Sequence, residues 1–178
     1  MAGGFRPVNN LDGADYTGGV VTYGVDSGHA SLLAVGDLVR ITGQSDANGL
    51  QEVDAAAAAQ TITGCIVAID RNISDLEQSG LPASTAGTVK VAVGRNLLME
   101  APTSAAVAAA DVGGNADIVA TAATASGGLV NSNMTVNTGS VGSATAQIRI
   151  EGLKDGGTAA GSTVYCRINE STFDTVGV

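Results

Sequence analysis

Three short runs between Gly64 and Glu100 constrain this chain more than any other feature. They read Gly64-Cys65-Ile66-Val67-Ala68-Ile69-Asp70, Thr88-Val89-Lys90-Val91-Ala92-Val93-Gly94 and Asn96-Leu97-Leu98-Met99-Glu100. Each is rich in aliphatic residues, chiefly Val and Ile in the first two, and bounded by Gly, Asp or Asn. That is the pattern of β-strands joined by turns. In the second run Val89, Val91 and Val93 fall on one side and Lys90 on the other, the period of a pleated strand. The stretch is therefore expected to be the centre of a β-barrel or β-sandwich.

The rest of the chain extends this reading. Strands are expected at Gly19–Tyr23, His29–Leu33, Val35–Gly43 and, weakly, Leu50–Val53, with turns at Val25–Gly28 and Ser45–Gly49. Ala55–Ala59 is five alanines, strong helix formers but too few to hold a helix alone, so one helical turn and a loop both remain open. Asn72–Ala86 reads as a loop with a short helical turn near Ser74–Gln78. Pro102 closes the third central run. Ser104–Asp111 is Ala-rich and fits one short helix. Asn115–Ala120 and Leu129–Val136 read as strands. In Ala146–Leu153, Ile148 and Ile150 share a face opposite Gln147, Arg149 and Glu151. After the turn Asp155-Gly156-Gly157, Ser162–Asn169 places Val164, Cys166 and Ile168 inward, and the two runs form a C-terminal hairpin.

The expected fold is all-β with at most one or two short helices. Residues 1–17, polar and rich in Gly and Asn, form an extended N-terminal arm without a core of its own. They are either a disordered tail or an arm that orders against a neighbour. Residues 18–170 form the β-rich body, as one unit or as two lobes meeting near 101–113, and 171–178 form a C-terminal tail. Only 3% of the 178 residues are aromatic and Trp is absent, although 44% are hydrophobic. Small side chains bury less apolar area per residue, so oligomerisation is the expected supplement to stability.

The net charge of −9 argues against nucleic-acid binding, which needs a basic stripe, and against anionic membranes. No apolar run approaches the roughly 20 residues of a membrane span, and the first residues lack the apolar core of a secretory signal. Cys65 and Cys166 each lie in an aliphatic run, which fits buried free thiols in a reducing compartment; a disulfide is the alternative.

Chemistry-bearing patterns are sparse. His29 is the one histidine, and no Ser lies in Gly-x-Ser-x-Gly, so it reads as a surface or structural histidine rather than part of a triad. The two cysteines are not spaced as a zinc pair. Asp12–Asp15, Ser45–Gly49 and Asp70–Asn72 offer oxygen ligands but do not match a calcium loop, and turn formation explains them. The Gly-Gly pairs lack the Lys-Ser/Thr of a phosphate loop. Carbohydrate sites want aromatic platforms, which two Phe and three Tyr hardly supply. The chain is expected not to be an enzyme, with no catalytic, cofactor or metal residues.

The polar arm before Gly19, the Gly36-Asp37-Leu38-Val39 strand, the paired central runs and the Ala/Gly/Ser/Thr-rich second half together resemble the small capsid decoration, or cement, proteins of tailed bacteriophages. The resemblance implies a barrel, sandwich or jelly-roll body that forms a homodimer or homotrimer. It would be made in the host cytoplasm, sit on the outer surface of the virion and clamp neighbouring major capsid subunits. The arm, through Phe5, Arg6, Pro7, Val8, Asn9, Asn10 and Leu11, is the expected contact, adding a strand to an exposed sheet edge on the shell. The alternative is a receptor- or glycan-binding β-sandwich of adhesin or head-fibre type, using loops around Asn115 or Asn131–Asn137.

Overall fold

The computed structural model describes residues 3–70 and 78–174. In the first part of the chain the strands are β1 (Arg6–Asn10), β2 (Val21–Val25), β3 (Leu38–Ser45), β4 (Gln51–Ala55), β5 (Gly64–Ile69), β6 (Gly87–Val93) and β7 (Leu97–Pro102). There follow β8 (Asn115–Val119), β9 (Thr124–Ser126), β10 (Leu129–Asn131), β11 (Thr135–Asn137), β12 (Ile148–Leu153) and β13 (Thr163–Ile168). The helical elements among the described residues are 3-10 turns of three residues each. The described chain is all-β, as the alternation predicts.

Strands β2-β4-β3-β5-β6 close into a barrel. A six-stranded sheet in the order β1-β7-β13-β12-β8-β11 lies against it, and β9 and β10 form a separate two-stranded ribbon. The central runs thus do not share one sheet. β5 and β6 pair within the barrel, whereas β7 belongs to the sheet, and the chain crosses between the two at residues 94–96.

The two layers share a wall. Leu38, Cys65 and Ala92 are cross-strand neighbours on β3, β5 and β6, and all three face the core between barrel and sheet. Their chain neighbours Val39, Ile66 and Val91 point the other way and fill the barrel. Alternation along a strand normally separates core from solvent; here both faces are buried, so the runs are nearly continuous in apolar residues. The sheet contributes Met99, Ala101, Ala116, Ile118, Ile148, Ile150, Val164, Cys166 and Ile168 to the common core. The inward set expected for the C-terminal hairpin is the observed one, with Ile148 opposite Ile168 and Ile150 opposite Cys166.

Several expectations are corrected. His29–Leu33 is not a strand: His29 N–H donates to the Asp26 carbonyl in a turn, and Leu33 makes a single bridge to Leu81. Of the two readings left open for the alanine run, the loop is the observed one after Ala55, with Ala59 at φ 60°, outside any right-handed helix. Ser104–Asp111 carries only the 3-10 turn Ala109–Asp111. Leu129–Val136 is broken at Ser132–Met134, so β10 and β11 belong to different sheets. The helical turn expected near Ser74–Gln78 falls, apart from Gln78, outside the described residues. Gln147, placed outward by alternation, is fully buried, because β12 begins one residue later. Its amide donates to the carbonyls of Ala57 (2.9 Å) and Gln60 (2.5 Å) and its oxygen accepts from Ile118 N–H (3.2 Å). The side chain thereby ties the alanine loop of the barrel to the sheet.

Candidate functional site: the N-terminal edge strand and its groove

The arm is extended, but it is part of the body rather than free of it. Gly3 and Gly4 thread past Ser132 and Gly36. Gly4 has φ 94°, and a Cβ there would lie 2.5 Å from the Ser132 side chain. Phe5 is buried, its N–H donating to the Gly36 carbonyl (2.8 Å) and its carbonyl accepting from the Cys65 thiol (3.1 Å). Burial of an aromatic ring fixes this register. Arg6–Asn10 then pairs antiparallel with β7, Arg6 opposite Glu100 and Asn10 opposite Leu97. The expectation of an arm lacking a core is corrected: Phe5 inserts into the common core and the following residues complete the sheet.

The outer edge of β1 is defended against further pairing. Pro7 has no N–H to offer, the register shifts between Pro7 and Asn9, and Asn9 is bridged by Asp15 from the same chain. Asn10 N–H donates to the Ala14 carbonyl. Of the residues singled out in the sequence, Phe5 is buried, Pro7, Val8 and Asn10 are half-buried, and Arg6, Asn9 and Leu11 are exposed.

Beside this strand lies a groove of about 530 Å³, walled by Gly3–Arg6, by Val35 and Gly36, and by Glu100–Pro102 with Lys154. Glu100 is its electrostatic centre. Its carboxylate receives Arg6 at 2.6 Å and Lys154 at 2.8 Å, and its side chain is 12% exposed against 70% for Arg6. Burial acts to raise the Glu100 pKa, but the hydrogen bonds and charges of Lys154 and Arg6 outweigh it and hold the carboxyl below its ordinary value. The hydrogen bond to Glu100 raises Lys154 in turn. One acid between two cations leaves the mouth of the groove with a surplus positive charge on a chain that is otherwise acidic. A second group of this kind, Arg167 (2.6 Å) and Arg149 (3.4 Å) on Glu151, lies on the outer face of the sheet. The first group was not legible in the sequence, because Arg6 and Glu100 are 94 positions apart and only the strand register joins them; of the second, alternation already set Arg149 and Glu151 on one face.

The remaining candidates are structural. His29 is buried, its Nδ1 donating to the Asp26 carbonyl at 2.8 Å. Asp12 accepts from Ala14 N–H, and Asp46 from the N–H groups of Asn48 and Leu50, each closing its own turn. Asp70 accepts from the Thr88 hydroxyl at 2.6 Å. No set of three or more His, Cys, Asp or Glu able to hold a metal occurs among the described residues. Cys65 and Cys166 are buried and unbridged, and burial raises both thiols well above their ordinary range. Asn115 lies in β8, Asn131 in β10 and Asn137 in β11, so the segment expected to offer loops is largely strand. No described helix is long and apolar enough to cross a membrane. No protein-family model matches the chain, and no curated protein matches it.

Proposed function

We propose that the protein is a non-enzymatic virion component that decorates the outer capsid surface of a tailed bacteriophage and holds neighbouring major capsid subunits together as a homo-oligomer. The observation that carries the reading is the N-terminal strand: it is locked into the body by Phe5 and by β7, it sets Arg6 at the groove, and it leaves Asn9 and the following Leu11 exposed. A contact so anchored loses little conformational entropy on binding, because its ordering is complete beforehand. The defended edge of β1 directs the mode of contact towards side chains and the groove rather than strand addition. Binding to the assembled shell alone would stabilise that state by linkage.

Electron microscopy of purified particles tests the reading. The expected result is density for this chain on the outer shell, lost when Arg6→Glu and Leu11→Asp are introduced together into a protein that remains folded. Particles that carry no copy of the chain overturn it.

A further inference from the structure

The ribbon of β9 and β10 stands apart from both sheets, and its outer edge is treated differently from the other open edges. On β1 that edge is blunted by Pro7, a register shift and Asp15. On β11 it is bridged by Thr103, with Ser104 N–H donating to the Val136 carbonyl. In the ribbon, Gly127 and Gly128 make the two-residue turn, both at positive φ, and Ala125 lies opposite Val130. Val130 N–H turns away from β9 and donates to the Ser79 hydroxyl at 2.8 Å. The 125/130 pair is therefore of the non-hydrogen-bonded kind, and the N–H and C=O of Ala125 face outward on the opposite side. No hydrogen-bond partner for them occurs among the described residues. Thr124, Ala125 and Ser126 are all exposed, and Leu129 beside them is 59% exposed. No proline, lysine or register shift guards this edge, although such edges invite pairing.

Charge says what can pair there. None of the 17 acidic and 8 basic residues lies between Ile118 and Ile148, so β9, β10, β11 and their connections are wholly uncharged. Two copies carrying −9 each repel overall, and an uncharged strip adds nothing to that repulsion. A two-fold contact sets the same patch against itself, which suits an uncharged edge.

We infer that β9 pairs antiparallel with β9 of a second copy of this chain, joining two ribbons through the Ala125 backbone. This goes beyond the capsid reading and holds whether or not the chain coats a shell. The contact is short and its residual forces are repulsive charges at a distance. Dimerisation is therefore weak and is strengthened by salt, which screens them.

Sedimentation of the full chain at tens of micromolar, at low and at high salt, tests the inference. The expected species has twice the 17.4 kDa mass of the chain, with association tightening as salt rises. Ala125→Pro removes an N–H that has no partner among the described residues, and Ala125→Lys sets two like charges directly opposite each other across the contact. Each is expected to weaken dimerisation at least about tenfold while leaving the circular dichroism of the β body unchanged. If one variant fails to fold, the other decides. A wild-type chain that stays monomeric or forms trimers, association that weakens with salt, or a folded variant that dimerises as tightly as wild type overturns the inference. A dimer that binds no capsid would sink only the proposed function.

Discussion

Replacing Asp37 by asparagine or by alanine separates two effects of one carboxylate. Asp37 is 1% exposed and its Oδ2 accepts from Ala34 N–H at 2.7 Å, closing the turn that leads into β3. Burial pushes its pKa above the ordinary 3.8, and hydrogen bonding from Ser132 and Ala34 only partly opposes this. A carboxyl raised in the folded state binds its proton more tightly there than in the unfolded chain. Its contribution to stability is therefore fully present below pH 3.8 and is lost as pH rises through the raised folded value. Asp37→Asn keeps an acceptor for Ala34 and cannot ionise, so its stability relative to wild type should climb between about pH 4 and 7. Asp37→Ala should lose about 1–3 kcal/mol even at acid pH, because Ala34 N–H is left buried without a partner. Urea unfolding of the three proteins across that range measures both effects, and a wild-type-minus-Asn difference that is flat in pH refutes the first.

At the scale of the element, the shared wall of β3, β5 and β6 sets the tolerance for size. Ala92 is wholly buried and packs where the two layers meet, beside Cys65. Ala92→Leu should overfill that space at a cost of about 1–3 kcal/mol. Lys90→Ala, two residues away and turned outward 4.0 Å from Asp70, should stay within about 0.5 kcal/mol of wild type. Denaturant midpoints compare the two, and equal losses would contradict the wall. The same strands show what can be read in a sequence. β6, β12 and β13 are long enough for alternation to announce them, and their inward residues are the expected ones. β9, Thr124-Ala125-Ser126, is too short to carry a period and goes unread, while β10 and β11, three residues each, merge into the one strand expected over Leu129–Val136. β1 hides for another reason: its neighbour is fixed by Phe5 entering a core built from distant strands. The groove was invisible for the same cause, since its walls come from five separate parts of the chain.

At the scale of the whole molecule, barrel and sheet cannot come apart without exposing Leu38, Cys65 and Ala92 together with Met99, Ile148 and Ile150. Burying one face of three strands in each of two cores couples the cores, so heating should give a single transition. Calorimetry checks this: equal calorimetric and van't Hoff enthalpies are expected, and two resolved peaks would show that the layers melt independently. Sequence order adds a consequence for synthesis. β1 leaves the ribosome first, yet its partner Glu100 is made 94 positions later, a delay of about 5–20 s at ordinary elongation rates. All five strands of the barrel are complete by Val93, before any residue of β7 has been made. The nascent chain therefore has the means to close its barrel, with Gly36 and Cys65 in place for Phe5, while Arg6–Asn10 still lack their partner strand, and slowing translation once β6 has left the ribosome should help the newborn protein rather than harm it.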